Sequence, residues 1–182
     1  MSRAEKKEIT QEKETKIIKG NVSAAYAAKS SRVQVISAYP ITPQTTVVER
    51  LSEFVDGGLM PGTVYLKMES EHSVMASIIG ASIAGTRTFT ATSGQGLFYM
   101  NEMIHWAAGT RLPIVTAIAS RGTAPPWNIW ADFSDVINTR DTGWMSSFCA
   151  THQEIYDEIL MSYKVCEDAE VLLPKFVAYG GF

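Results

Sequence analysis

Seven consecutive residues, Pro113-Ile114-Val115-Thr116-Ala117-Ile118-Ala119, run almost wholly apolar, with no in-out alternation, up to the polar pair Ser120-Arg121. A strand with one wet face alternates apolar and polar side chains. One that does not is covered on both faces, as a parallel strand between helical layers is. Such a segment belongs at the centre of a sheet, and the rest of the chain is read around it.

The flanking sequence alternates short β-branched runs with helical spacing. Gly20-Asn21 opens a helix of small residues (Ala24, Ala25, Ala27, Ala28), and residues 33–38 follow as a strand. From Pro43, Val47, Val48, Leu51 and Phe54 recur at the intervals of an amphipathic helix that Gly57-Gly58 stops. Residues 63–67 read as a strand, about 70–84 as a helix ended by Gly85, and 87–91 as a strand. One helix is expected over 97–109, with Met100, Met103, Ile104 and Ala107 on one face. After the central run, residues 121–142 look irregular, and a loop of that length inside a domain is usually functional. A short strand near 147–150, a helix over about 152–167 and a strand over 171–178 complete the pattern. Alternation of this kind predicts an α/β fold of three layers, α/β/α, with a mostly parallel sheet. Residues 20–182 are expected to form that one domain, and residues 1–19 a solvated arm of mixed charge.

Bulk properties narrow the function classes. A formal charge of −3 with scattered Lys and Arg provides no basic field for nucleic acid. The first 19 residues lack the apolar core of a signal peptide, and no run of 18 apolar residues suggests a membrane span, so a cytoplasmic protein is expected. Two cysteines, Cys149 and Cys166, provide neither a disulfide framework nor the close spacing of a metal or iron–sulfur site. No His/Cys/Asp spacing suggests a metal centre, and neither a Walker sequence nor G-x-G-x-x-G is present.

In an open α/β sheet, ligands bind at the carboxyl ends of the strands. Four segments fall there: Tyr39-Pro40-Ile41-Thr42-Pro43, Glu69-Ser70-Glu71-His72, Thr92-Ser93-Gly94-Gln95-Gly96, and Arg121 onward. The two prolines of the first fix the directions of Tyr39 and Thr42. In the second, Glu71 opens an almost wholly apolar helix, which carries a carboxylate toward a buried layer; first-turn capping explains Ser70 and Glu71 equally well. The third places backbone N–H groups at a helix start, a common feature of such folds. Arg121 suits either a carboxylate clamp or a loop pin. Trp127, Trp130, Phe133 and Trp144 suit either a substrate wall or an interface.

Taken in order, Gly20-Asn21, Tyr39 through Thr45, Glu69 through Ser73, Arg87 through Ser93, Arg111 through Ile114, Asn128 through Trp130 and Arg140 through Trp144 resemble a known family. It is that of the thiamine-diphosphate-dependent 2-oxoacid:ferredoxin oxidoreductases, and within it the N-terminal pyrimidine-binding domain of the pyruvate:ferredoxin oxidoreductase α subunit. The resemblance implies that Glu71 hydrogen-bonds the aminopyrimidine ring and promotes deprotonation of the thiazolium carbon, a role in which position matters more than acid strength. It implies that Tyr39, Pro40, Thr92 and Ser93 border the cofactor, and that Thr42, Arg121 and Gly122 face the 2-oxoacid, with Arg121 on its carboxylate. Mg²⁺ and the diphosphate are then held by a β subunit. Iron–sulfur clusters and coenzyme A are expected on or with partner chains, γ and ferredoxin-like δ subunits among them, and a second domain normally follows in the family's α subunits.

The implied activity is oxidative decarboxylation of a 2-oxoacid to acyl-CoA and CO₂, with electrons passed to ferredoxin, in a hetero-oligomer of anaerobic metabolism. Gly122, Trp127 and Phe133 stand where the resemblance leads one to expect alanine, leucine and histidine, which points past pyruvate to a bulkier or aryl acid such as phenylglyoxylate. Two alternatives stand beside it: the α subunit of a non-oxidative thiamine-diphosphate decarboxylase, and a non-catalytic assembly subunit.

Overall fold

A computed structural model describes residues 15–182. Most of the expected N-terminal arm, residues 1–14, lies outside the described residues. Thirteen elements follow: α1 (Gly20–Ser30), β1 (Val35–Ala38), α2 (Thr45–Asp56), β2 (Val64–Lys67), α3 (Glu71–Ile83), β3 (Thr88–Thr92), α4 (Gly94–Tyr99), α5 (Asn101–Gly109), β4 (Val115–Ser120), α6 (Ser134–Ile137), β5 (Met145–Phe148), α7 (His152–Cys166) and β6 (Lys175–Gly180). The strands form one sheet in the order β2-β1-β3-β4-β6-β5, and every pairing is parallel. The central run is β4, buried at all six positions between β3 and β6, as its unbroken apolar character requires.

Strand periodicity divides the core in two. Ile36, Phe89, Ala91, Val115, Ala117, Ala119 and Val177 face α1, α2 and α7. Ile118, Phe176 and Ala178 face α3, α4 and α5, with Met75, Ile78, Leu97, Met100 and Ile104 packed against them. The alanines of α1 are all buried, which lets that helix lie close against α2 and α7. Both layers and the parallel sheet match the three-layer expectation.

Three local expectations needed correction. The single helix over 97–109 is two helices meeting at Met100, whose N–H reaches both Gly96 and Leu97 carbonyls at 3.2 Å. Leu97, Met100, Ile104 and Ala107 stay buried across the break, so the apolar period never registers it. The last strand starts at Lys175 rather than 171. Val171 and Leu172 instead donate to the Asp168 carbonyl at 2.9 Å each, closing a turn after α7. The strand near 147–150 sits at Met145–Phe148, in register with Lys175–Ala178. The irregular segment also holds the short helix α6.

Candidate functional site

The strand order brings β2, β1, β3 and β4 side by side, so the four segments singled out at their ends share one edge of the sheet. At the start of α3 the capping work is done by other residues. The Ser70 hydroxyl accepts from the Ser73 N–H at 3.2 Å, and Glu69 accepts from the Ser73 hydroxyl. Glu71 is left over. It is 7% exposed, and its carboxylate takes no hydrogen bond among the described residues. The carboxylate takes the place that a side chain at residue 96 would occupy: a Cβ on Gly96 would stand 2.6 Å from Glu71 Oε1 and collide with Thr92 Oγ1. Thr92 Oγ1 and Ser93 Oγ are fully buried and without a partner among the described residues. Unpartnered carboxylate and hydroxyl oxygens around one glycine are the complement of the ring and amine N–H donors at the aminopyrimidine end of thiamine diphosphate, and in that respect the residues fit it.

The same turn faces Arg121 with its other glycine. A Cβ on Gly94, whose φ is +43°, would stand 2.8 Å from Arg121 Nε. Arg121 donates through Nη1 to the Thr42 carbonyl at 2.6 Å and through Nε to Gln95 Oε1 at 3.1 Å, and Nη2 reaches the same oxygen. Gln95 Nε2 in turn donates to the Thr123 carbonyl at 2.8 Å. Thr42 is exposed at the tip of its turn, after which the Thr42–Pro43 peptide is cis. Glu71, Thr42 and Arg121 thus gather around the first turn of α4, whose sequence signal had looked the weakest of the four.

Residues behind this edge hold it in place. Asp135, fully buried, accepts from Gly94 N–H at 3.1 Å, Arg121 N–H at 3.3 Å, the Ser120 hydroxyl at 2.8 Å and Val136 N–H at 2.9 Å. One carboxylate therefore ties the ends of β3 and β4 to α6. Gln44 donates to the Ala91 carbonyl at 2.6 Å, and Asn21 to the Pro43 carbonyl at 2.7 Å, bracing the proline turn from below. Gly181 lies where a Cβ would be 2.8 Å from Pro43 Cγ. Gln95, Asp135 and Gln44 were not picked out as site residues from the sequence. An acid inside an otherwise irregular, aromatic-rich segment was the signal for Asp135, and the glycines on both sides were the signal for Gln95.

Other expected residues fall as follows. Tyr39 is half-buried against the α3–α5 core, and Pro40 is exposed beside Thr45, Tyr65 and Met68 in a surface cleft. Gly122 is buried, and the room its missing side chain leaves is filled by Asn128 Nδ2, 2.8 Å from a Cβ there. The four aromatics do not form one wall. Trp144 is a core residue stacked on Phe176 at 4.0 Å, its indole N–H donating to the Ile104 carbonyl at 2.8 Å, and Phe133 packs edge-on against Phe148. Trp127 and Trp130 are exposed at 64% and 66%. Both cysteines are free and buried, and burial pushes the Cys149 thiol up to about 11 and the Cys166 thiol up to about 12. Among the described residues no group of acids, histidines and cysteines is arranged to hold a metal ion, and no helix is long and apolar enough to cross a membrane.

Residues 26–182 match the family described as "Pyruvate flavodoxin/ferredoxin oxidoreductase, thiamine diP-bdg". The chain is 53% identical, over 92% of its length, to ketoisovalerate oxidoreductase subunit VorA of Pyrococcus furiosus, of which it covers 42%. It is 51% identical, over 93% of its length, to pyruvate synthase subunit PorA of Methanocaldococcus jannaschii, of which it covers 43%. The chain therefore spans less than half the length of these curated relatives. Among solved structures, 2-oxoglutarate:ferredoxin oxidoreductase from Magnetococcus marinus superposes on 90% of the chain with a TM-score of 0.81 at 24% identity, the match covering 29% of that chain, and so shares the fold. By the extent of these matches, the chain belongs to the pyruvate flavodoxin/ferredoxin oxidoreductase family of thiamine-diphosphate-binding domains.

Proposed function

We propose that this chain supplies the pyrimidine half of a thiamine-diphosphate site in a multi-subunit 2-oxoacid:ferredoxin oxidoreductase, as the α-type component, and is active only in the assembly. The observation that carries this reading is Glu71, a buried residue whose carboxylate has no hydrogen-bond partner among the described residues and packs against the bare backbone of Gly96. Thiamine diphosphate, when bound, supplies a carbon nucleophile and an electron sink for decarboxylating a 2-oxoacid. Glu71 accepts a hydrogen bond from the pyrimidine ring in a site where little water competes for it. Thr92 and Ser93 offer unpartnered hydroxyls at the same turn. Arg121 pairs with the substrate carboxylate, and Thr42 borders the keto acid from the opposite strand end.

In this reading the diphosphate and Mg²⁺ belong to a β partner. Iron–sulfur clusters are assigned to γ and ferredoxin-like δ components, coenzyme A takes the acyl group, and the complex works in the cytoplasm. The relatives' names favour a substrate between pyruvate and a branched 2-oxoacid. Gly122 adds no free volume beside Arg121, so an aryl acid draws no support from that position. The test is Glu71→Gln in the assembled enzyme. Oxidation of the 2-oxoacid is expected to fall at least about 10³-fold with assembly intact; normal decarboxylation by that variant overturns the assignment.

A further inference from the structure

We propose that Gln95 is a positioning residue for substrate affinity: it grips one edge of the Arg121 guanidinium through a neutral oxygen, leaving the remaining N–H donors and the full positive charge for a 2-oxoacid carboxylate. The proposal rests on the reading of Arg121 as the carboxylate partner. A guanidinium has five N–H donors in a fixed fork. Gln95 Oε1 takes Nε and one donor of Nη2, and the Thr42 carbonyl takes one donor of Nη1. One N–H remains on each terminal nitrogen, and a fork between the terminal nitrogens is the second way an arginine binds a carboxylate bidentately.

The polarity of the Gln95 amide is set by its other end. The Thr123 carbonyl can only accept, so Nε2 must face it, and Oε1 must face Arg121. Gly94 allows the guanidinium to lie flat on the turn, since any side chain there meets Nε and Cγ within 3.0 Å. A carboxylate at position 95 would fill the same edge but would pair with Arg121 as an ion, cancelling the charge that attracts the substrate. An amide orients the arginine without spending its charge.

The experiment uses the assembled enzyme and two variants, Gln95→Glu and Gln95→Met. Both lose the hydrogen bond to Thr123; Gln95→Glu keeps an oxygen on Arg121 and adds a charge, whereas Gln95→Met removes the grip on Arg121 without adding one. KM for the 2-oxoacid is expected to rise about tenfold or more in Gln95→Glu and only a few-fold in Gln95→Met, with a smaller change in kcat in each case. In an Arg121→Ala background neither substitution is expected to raise KM further, because both act through the arginine. Equal KM shifts in the two variants, or shifts that add to that of Arg121→Ala, overturn the proposal. If Gln95→Glu fails to assemble, Gln95→Met against the Arg121→Ala background still decides between non-additive and additive behaviour. An Arg121→Ala enzyme with unchanged KM overturns the role of Arg121 itself. A raised KM there, with additive Gln95 variants, overturns only the role of Gln95.

Discussion

Two buried carboxylates stand at the same edge of the sheet and are treated in opposite ways. Asp135 takes four hydrogen bonds, from the ends of β3 and β4 and from α6. Glu71 takes none among the described residues and packs so close to Gly96 that a single methyl group there would collide with it. A buried acid with a full set of donors is part of the scaffold, and removing its charge exposes those donors to unmet demand. A buried acid without donors costs the fold stability, and a ligand that supplied them would relieve that cost. In the proposed reading this contrast separates scaffold from site where residue type and burial alone do not.

The sharpest break of this comparison is a pair of isosteric amides. Glu71→Gln removes no hydrogen bond among the described residues and is expected not to lower stability, while activity of the assembled enzyme collapses, as measured by denaturant titration and turnover. Asp135→Asn should do the reverse in kind. One end of the amide would present N–H groups to backbone N–H donors, costing about 2–3 kcal/mol in the same titration, with a secondary rise in KM as Arg121 shifts. Equal stability losses in the two variants would erase the distinction. Gly96→Ala should fall next in size: its methyl meets Glu71 Oε1 at 2.6 Å, so a loss of about 1–2 kcal/mol and weakened thiamine diphosphate binding by calorimetry are expected.

The smallest effect concerns an acid far from the edge. Glu158 is pushed up by burial, but hydrogen bonds from Lys175 and Ser147 outweigh this and hold it below the ordinary value of 4.5. Since its folded pKa is depressed, its stabilisation is present above that value and is lost as pH falls through the folded pKa. Thermal unfolding between pH 5 and pH 3, taken as roughly the ordinary carboxylate range, should therefore be less pH-dependent in Glu158→Gln than in the native chain.

How much of this was legible in the sequence depended on what kind of signal each residue carries. The layers and the central strand followed from β4 and α2, whose apolar patterns are dictated by burial. That Glu71, Thr42 and Arg121 fall near one another at strand ends was legible from the alternation of strands and helices, while the roles expected of them came from the family resemblance alone. The break at Met100 was not, since periodicity reports which face is buried and says nothing of the direction of the helix axis. Nor was the sharing of roles in α3, where Ser70 caps, Glu69 holds the Ser73 hydroxyl and Glu71 takes neither part, because three neighbouring polar residues compete for one task. Asp135 and Gln95 act through partners 14 to 41 positions away, and such pairings appear only once the chain is folded.

The two buried thiols give the chain a practical property. With Cys149 near 11 and Cys166 near 12, both are almost wholly protonated at neutral pH and inert toward alkylating probes. A cysteine introduced at exposed Trp127 could thus be labelled in the otherwise native sequence. A fluorophore there would report the arrival of a partner over the strand ends, without first stripping the protein of its own sulfur.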